Sequence, residues 1–368
     1  MTIFALSSGP GISGIAVIRV SGPNTKKVLK NLTFLELPKA KTASFRKFRY
    51  PETNQLIDEG ILLWFPGPES YTGEDMAEFH VHGSRAVIEA MHNSISKIEG
   101  CRLAEPGEFT KIAFQNGKIN LLKAESISDL ISSETEMQRN QAIRIMSGKT
   151  SIKFNSLRER ILKVLSNVEA KIDFPEDDLP IDILKNIHSE VRKIKKEIEK
   201  ILNDQSVGER IREGFKIAIV GPTNAGKSSL LNYLSKRDVA IVSEIAGTTR
   251  DVIEAHLNLD GYPVVISDTA GIRNSKDEIE KKGIKLALER AENADLNIVI
   301  IEPKSVEFSN FLSDKLLKKS ILVINKIDLG TNIINNQINK YDPVHISVKE
   351  EKNLDKLINL IKKNLKNK

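Results

Sequence analysis

The run Gly221-Pro222-Thr223-Asn224-Ala225-Gly226-Lys227-Ser228 decides the fold of the second half of the chain. It fits the spacing Gly-x-x-x-x-Gly-Lys-[Ser/Thr], stands directly after the apolar stretch Phe215–Val220, and leads into a helical run, Ser229–Leu234. A strand, a glycine-bearing loop and a helix in that order bring main-chain N–H groups and a helix N-terminus onto a phosphate. Lys227 then reaches the β/γ-phosphates and Ser228 ligates Mg²⁺, so Asn224, Ala225, Gly226, Lys227, Ser228 and Ser229 are candidate nucleotide contacts.

Outward from this loop, Leu296–Ile301, Ile321–Ile324 and Val344–Ile346 are apolar runs of the kind found in parallel strands covered on both faces. Asp260-Gly261 is a two-residue hairpin signal between Ile253–Leu259 and Pro263–Ser267, which predicts one antiparallel edge strand on a doubly wound α/β sheet. Asp268-Thr269-Ala270-Gly271 follows the strand after the hairpin, where Asp268 can hold the Mg²⁺ shell and the Gly271 amide can meet the γ-phosphate. Thr248 and Thr249, between loop and second strand, offer hydroxyls that close on the metal while a γ-phosphate is present, and Thr249 is assigned to Mg²⁺.

The base is read by Asn325-Lys326-Ile327-Asp328. A carboxylate at Asp328 accepts from guanine N1–H and N2–H₂, whereas adenine has an acceptor at N1 and no amine at C2, so GTP is preferred over ATP by several kcal/mol. Ser347 fills the place of the last base-contacting loop, with Val348 where alanine is usual. The water-orienting glutamine that many small GTPases carry after Asp-x-x-Gly is Ile272 here. Arg250 and Arg273 are candidate arginine fingers, and Asp277, Glu278 and Glu280 read by themselves as acids at a helix N-terminus.

With 368 residues, two or three domains are expected. Cys101 is the single cysteine, which excludes an internal disulfide and a cysteine-based zinc cluster and leans toward a reducing, cytoplasmic setting. No apolar run reaches the ~20 residues that cross a bilayer. Lys and Arg number 55 against 49 acids, net +6, with a pI near 9.1; that suits a polyanionic partner such as RNA and equally fits a general bias toward lysine.

Residues 1–117 alternate short β-rich runs, such as Ile15–Val20 and Ile61–Phe65, with Gly/Pro turns, and read as a small α+β domain. Residues 118–212 turn helical. Leu157, Ile161, Val164, Leu165, Val168 and Ile172 form one apolar stripe and Ile187, Val191, Ile194, Ile198 and Ile201 another, with a break at Phe174–Pro180. The charge of Arg192–Lys200 reads as a solvated helix face. Residues 213–368 form the GTPase domain. Two look-alikes are set aside: Gly9-Pro-Gly-Ile-Ser-Gly14 leads into a β-rich run where a dinucleotide site needs a helix, and His80 with His82 lacks a third zinc ligand and reads as an ordinary polar loop.

Nearly the whole sequence resembles the tRNA wobble-uridine modification GTPase family called MnmE or TrmE. The resemblance lies in Ile15-Ala-Val-Ile-Arg-Val-Ser-Gly22, in Tyr71-Thr-Gly-Glu-Asp75 with Glu78, His82 and Gly83, and in Pro106-Gly-Glu-Phe-Thr110. It continues through Asn116-Gly-Lys-Ile-Asn-Leu121 and Ala124-Glu-Ser-Ile-Ser-Asp-Leu-Ile131. It implies a folate-binding, dimer-forming N-terminal domain, a helical middle and an inserted GTPase domain. Arg19, Glu78 and Lys118 would contact a tetrahydrofolate derivative of the 5-formyl or methylene type. K⁺ would stand in for an arginine finger, held by Asn224, Ser243, Thr248 and the carbonyl of Ile245, with two GTPase domains facing each other across a homodimer. Glu280 would position the attacking water, which makes Glu280 and Lys227 the catalytic pair.

The resemblance further implies a flavin-bearing partner of the MnmG/GidA type and an aminomethyl-type group installed at C5 of the tRNA wobble uridine. The alternative is a GTP-switched RNA or ribosome assembly factor without modification chemistry, since similar GTPase domains serve both roles. The sequence departs from the family pattern at Ser84, where a second glycine is usual, and in ending at Lys368 without the further helices and Cys-x-Gly-Lys motif. The apolar stripes of the middle region are therefore expected to be short of partners.

Overall fold

A computed structural model of the chain describes residues 1–173, 182–203, 207–222, 224–237, 254–268, 289–303, 319–330 and 341–366. They form two compact units, Met1–Glu125 and Ser126–Lys368.

The first unit is built on a six-stranded sheet of order β3-β4-β5-β2-β1-β6. Its strands are β1 (Thr2–Leu6), β2 (Ser13–Ser21), β3 (Ser44–Arg49), β4 (Leu56–Phe65), β5 (Met76–Gly83) and β6 (Cys101–Leu103). Alternation along β2 sets the two faces: Ala16, Ile18 and Val20 are buried while Val17 and Arg19 are half-buried between them. On the buried face Ile18 lies opposite Phe79, and Phe79 meets Phe48 edge-on at 5.4 Å. Helices α1 (Thr25–Thr33) and α2 (Arg85–Ser96) close this core with Val28, Leu29, Leu32, Met91 and Ile95. Ser84 caps α2, its hydroxyl accepting from the Val87 amide at 3.2 Å; a glycine there would leave that amide without a side-chain acceptor. The β-rich reading after Gly14 is right, since β2 and no helix follows that loop. The polar-loop reading of His80 and His82 is corrected: both lie within β5 on one face, carried by the alternation of buried Phe79 and Val81.

In the second unit, β7 (Phe215–Val220), β8 (Glu254–Leu259), β9 (Tyr262–Asp268), β10 (Leu296–Ile301), β11 (Ser320–Ile324) and β12 (Val344–His345) take the order β12-β11-β10-β7-β9-β8. All neighbours are parallel except the hairpin β8–β9. Its turn has Asp260 at φ 53° and Gly261 at φ 88°, the double positive-φ geometry that matches strand twist. One face packs on α9 (Lys227–Arg237) and α10 (Leu354–Lys366) through Leu230, Leu234, Leu357 and Ile361 against Ile217, Ile219 and Ile298. On the other face Ala291 and Ala294 cover Ala218 and Val220. The central strand β10 is buried at every residue and β7 and β11 at nearly all, which is why these runs are apolar where the edge strand β8 is not.

After α3 (Glu108–Gln115) and ahead of this sheet run α4 (Leu121–Ile131), α5 (Glu136–Met146), α6 (Lys149–Asp173), α7 (Ile183–Leu202) and α8 (Val207–Glu213). A capping box at Thr135 and Gln138 starts α5. The helix α8 runs straight into β7 and is tied back by Gln138 Nε2 to the Arg212 carbonyl (3.1 Å), Gln141 Nε2 to the Gly208 carbonyl (2.9 Å) and Arg212 to Asp129 (2.8 Å). Along α6 and α7, Leu157, Ile187 and Ile194 are buried, whereas Ile161, Leu165 and Ile172 are exposed at 47%, 48% and 70%. The inner line of the helix pair is thus packed and the flanking apolar residues are not. The predicted break at Phe174–Pro180 lies outside the described residues.

Candidate functional site

Between the end of β7 and the start of α9 the loop turns back on itself by positive φ at Asn224 (65°) and Gly226 (98°). Side chains are excluded at two points. A Cβ on Gly221 would stand 2.1 Å from the Ile300 carbonyl oxygen, and one on Gly226 2.3 Å from Asn325 Nδ2. The glycines of the motif are therefore required by the close approach of β10 and of the base-reading loop, as well as by any ligand. Lys227 lies inside this loop, 8% exposed, its Nζ donating to the carbonyls of Gly221 (2.9 Å) and Pro222 (2.8 Å). A nearly buried ammonium at a helix N-terminus, bonded to two main-chain carbonyls, is a setting that favours an anion. Ala225 is fully buried, Ser228 lies in the first turn of α9 and Ser229 is exposed on it. Asp268 is the last residue of β9. Thr223, Ser243, Ile245, Thr248, Thr249, Arg250, Thr269, Ala270, Gly271, Ile272, Arg273 and Glu280 lie outside the described residues.

The residues expected to read the base, Asn325, Asp328 and Ser347, converge on this loop from the ends of β11 and β12. Asn325 is 3% exposed; its Nδ2 donates to the Ala225 carbonyl at 2.9 Å and its Oδ1 accepts the Val348 amide at 3.1 Å. One side chain thus bridges the phosphate loop and the last loop. The sequence places Asn325 among the base contacts and carries no local signal for this bridge, which depends on strand order. Ser347 is fully buried, its Oγ donating to Asp328 Oδ1 at 2.6 Å. That bond holds the Asp328 carboxyl below its usual range, against a smaller opposing effect of burial, with Lys349 and Lys352 adding to the lowering. Asp328 is therefore a fixed anion with acceptor capacity left for a pair of N–H donors. Lys326 has a left-handed backbone, φ 61°, and its Nζ is anchored to Glu302 at 2.9 Å. Glu302, just past β10, was not foreseen.

In the first unit Arg19 and Glu78 are cross-strand partners on the half-buried face. Arg19 Nε and Nη2 both donate to Glu78 Oε1, at 3.0 and 2.8 Å. The guanidinium stands 5.5 Å from the ring centroids of Tyr71 and Phe109, two aromatic walls that the motifs contain and that sequence reasoning did not single out. Lys118 bonds neither partner. Its Nζ donates to the Pro68 carbonyl at 2.7 Å, on the same loop that supplies Tyr71. A cation, a carboxylate and two rings suit a flat heteroaromatic ligand with a polar edge. On the same face His82 Nδ1 pairs with Asp58 Oδ1 at 2.8 Å. Burial pushes the Asp58 carboxyl up, but the His82 amide and ring and the Glu59 amide outweigh it and hold it low. Among the described residues no group of three or more His, Cys, Asp or Glu is placed to hold a metal, and no helix is long and apolar enough to cross a membrane.

Comparison with known proteins accounts for both units. Residues 2–118 match the family described as GTP-binding protein TrmE N-terminus, and residues 121–368 the MnmE helical domain. The chain is 70% identical over 341 residues to the tRNA modification GTPase MnmE of Pelagibacter ubique (strain HTCC1062), covering 93% of this chain and 77% of that protein. It is 47% identical over 352 residues to the protein of the same name in Rickettsia bellii (strain OSU 85-389), covering 95% and 79%. Against that of Parvibaculum lavamentivorans (strain DS-1 / DSM 13023 / NCIMB 13966) it is 45% identical over 332 residues, covering 90% and 76%. With family matches over both the sheet that carries Arg19 and the region that carries Lys227, the chain belongs to the MnmE (TrmE) family of tRNA modification GTPases.

Proposed function

We propose that this chain binds and hydrolyses GTP and couples that cycle to modification of tRNA. The observation that carries the reading is the Asn325 bridge, which locks a phosphate-type loop to a base-reading carboxylate in one rigid frame. Lys227 neutralises charge on the β/γ-phosphates, and Asp328, oriented by Ser347, accepts from the guanine edge. Ser228 and Thr249, with Asp268 behind them, would hold Mg²⁺, which supplies further neutralisation of the phosphates. Asn224, Ser243, Thr248 and the Ile245 carbonyl would hold K⁺ in place of an arginine finger, and Glu280 orients the water. Asn224 sits within the loop in a left-handed turn, a position from which a short side chain can reach an ion beside it.

The N-terminal sheet would hold a tetrahydrofolate derivative at Arg19 and Glu78, with Lys118 on the neighbouring loop; that cofactor supplies a one-carbon unit. The modification is addition of an aminomethyl-type group at C5 of the wobble uridine, made with a flavin-bearing partner of the MnmG/GidA type, in a cytoplasmic homodimer. The functional parts are residues 1–117, 118–212 and 213–368. Mass spectrometry of wobble uridines from cells lacking this chain tests the modification: loss of the aminomethyl-type nucleoside is expected, and an unchanged profile refutes it. GTP turnover by the purified chain tests the hydrolase separately.

A further inference from the structure

The outward face of α7 carries Arg192, Lys196 and Lys200 at successive four-residue steps, all exposed. Residues four apart stack along one helix face, so the three cations stand about 6 Å apart in a line of about 12 Å. The acids of the same helix are engaged elsewhere. Glu190 and Glu197 bond Arg160 of α6 at 2.6 and 2.8 Å, Glu190 also meets Lys193 at 3.5 Å, and Glu199 meets Lys195 at 3.8 Å. Among the described residues, Arg192, Lys196 and Lys200 are left with no ion pair. A helix face that serves only solubility alternates its signs, because like charges four apart repel and weaken the helix. Here the repulsion is kept, with Glu190 and Glu197 drawn to Arg160 of α6 and Glu199 to Lys195.

We propose that this face docks the phosphate backbone of RNA, with Arg192, Lys196 and Lys200 each meeting one phosphate. A regular row of cations matches a regular row of anions, where the scattered carboxylates of a protein surface would not. The proposal rests on the tRNA reading above and adds the surface on which the substrate lies. The three side chains are exposed, as the solvated-face reading of this charge expects, and the proposal adds a partner to that face.

The test is equilibrium binding of fluorescently labelled bulk tRNA to the full chain across a KCl series, for wild type, R192A/K196A/K200A and the control K356A/K363A/K366A, which removes the same charge from α10. Three lost phosphate contacts should reduce the slope of log K against log salt by about 2–3 and lower affinity at least tenfold at low salt. The control should keep the wild-type slope. GTP turnover without RNA should be unchanged, and thermal stability should not fall, because alanine relieves the repulsion and favours helix. Equal slopes for wild type and R192A/K196A/K200A would overturn the proposal and leave the tRNA reading standing, as would equal losses in both variants. Loss of binding to the flavin-bearing partner with the RNA slope retained would assign the face to a protein and also overturn it. Wild-type protein with no affinity for tRNA would overturn both.

Discussion

Replacing Asn325 by alanine removes both bonds that join the phosphate loop to the base-reading loops, at 2.9 and 3.1 Å. It leaves the Ala225 carbonyl, which is buried, and the half-buried Val348 amide without their partner. An unmade bond of this kind costs about 1–3 kcal/mol. Taking about 1.5 kcal/mol for each gives roughly 3 kcal/mol, or about a hundredfold in affinity. The bonds hold two ligand-contacting loops in register, so the loss should fall mainly on nucleotide binding. Titration with a fluorescent guanine nucleotide reads the affinity directly, and thermal melting without nucleotide reads what is charged to folding. Affinity within threefold of wild type, together with an unchanged melting temperature, would refute the bridge as the element that holds the site in register.

Asp328→Asn turns an anionic acceptor into a group that also donates, so GTP should weaken by about 2–3 kcal/mol and xanthosine nucleotides should gain; unchanged guanine preference in competition binding contradicts the base assignment. Turnover should be faster in K⁺ than in Na⁺, and Glu280→Ala should bind GTP yet lose hydrolysis; equal rates in the two salts remove the K⁺ site, and retained turnover removes Glu280. A hydrogen bond from Arg102 holds the Glu108 carboxyl near 2, against burial and with help from the Glu105 amide. Because the folded value lies below the ordinary 4.5, its contribution is fully present above that pH and is lost as pH falls toward 2. Arg102→Met should therefore lower stability in denaturant titrations at neutral pH and converge on wild type near pH 2, and a constant difference down to that pH would contradict it.

The sheet around the phosphate loop was legible because its strands are buried on both faces. Phe215–Val220 and Leu296–Ile301 appear in the structure with the bounds their apolar runs suggest, and the turn at Asp260-Gly261 adopts the conformation its residues favour. In the N-terminal sheet one face is half-buried and polar, so the signal was weaker. The strand predicted at Ile61–Phe65 begins at Leu56, and His80 and His82, which read as a polar loop, lie in β5. Polar residues there satisfy each other across strands, as Arg19 and Glu78 do, which no single segment reveals. The contacts that hold the site together, Asn325 to Ala225 and Glu302 to Lys326, join residues 100 and 24 positions apart. They follow from strand order, which propensity and periodicity do not encode.

That order has a consequence for a chain still leaving the ribosome. The hairpin β8–β9 docks on one edge of β7, and β10, β11 and β12 then add one after another to the opposite edge. Each newcomer meets an open edge, and no strand must be threaded between two that have already paired. The cradle around Lys227 is walled by β10 before Asn325, Asp328 and Ser347 have been synthesised. If Lys227 meets phosphate and Asp328 the base as proposed, a nascent chain at that stage would grip a phosphate without telling one purine from another; selectivity would arrive last, with β11 and β12.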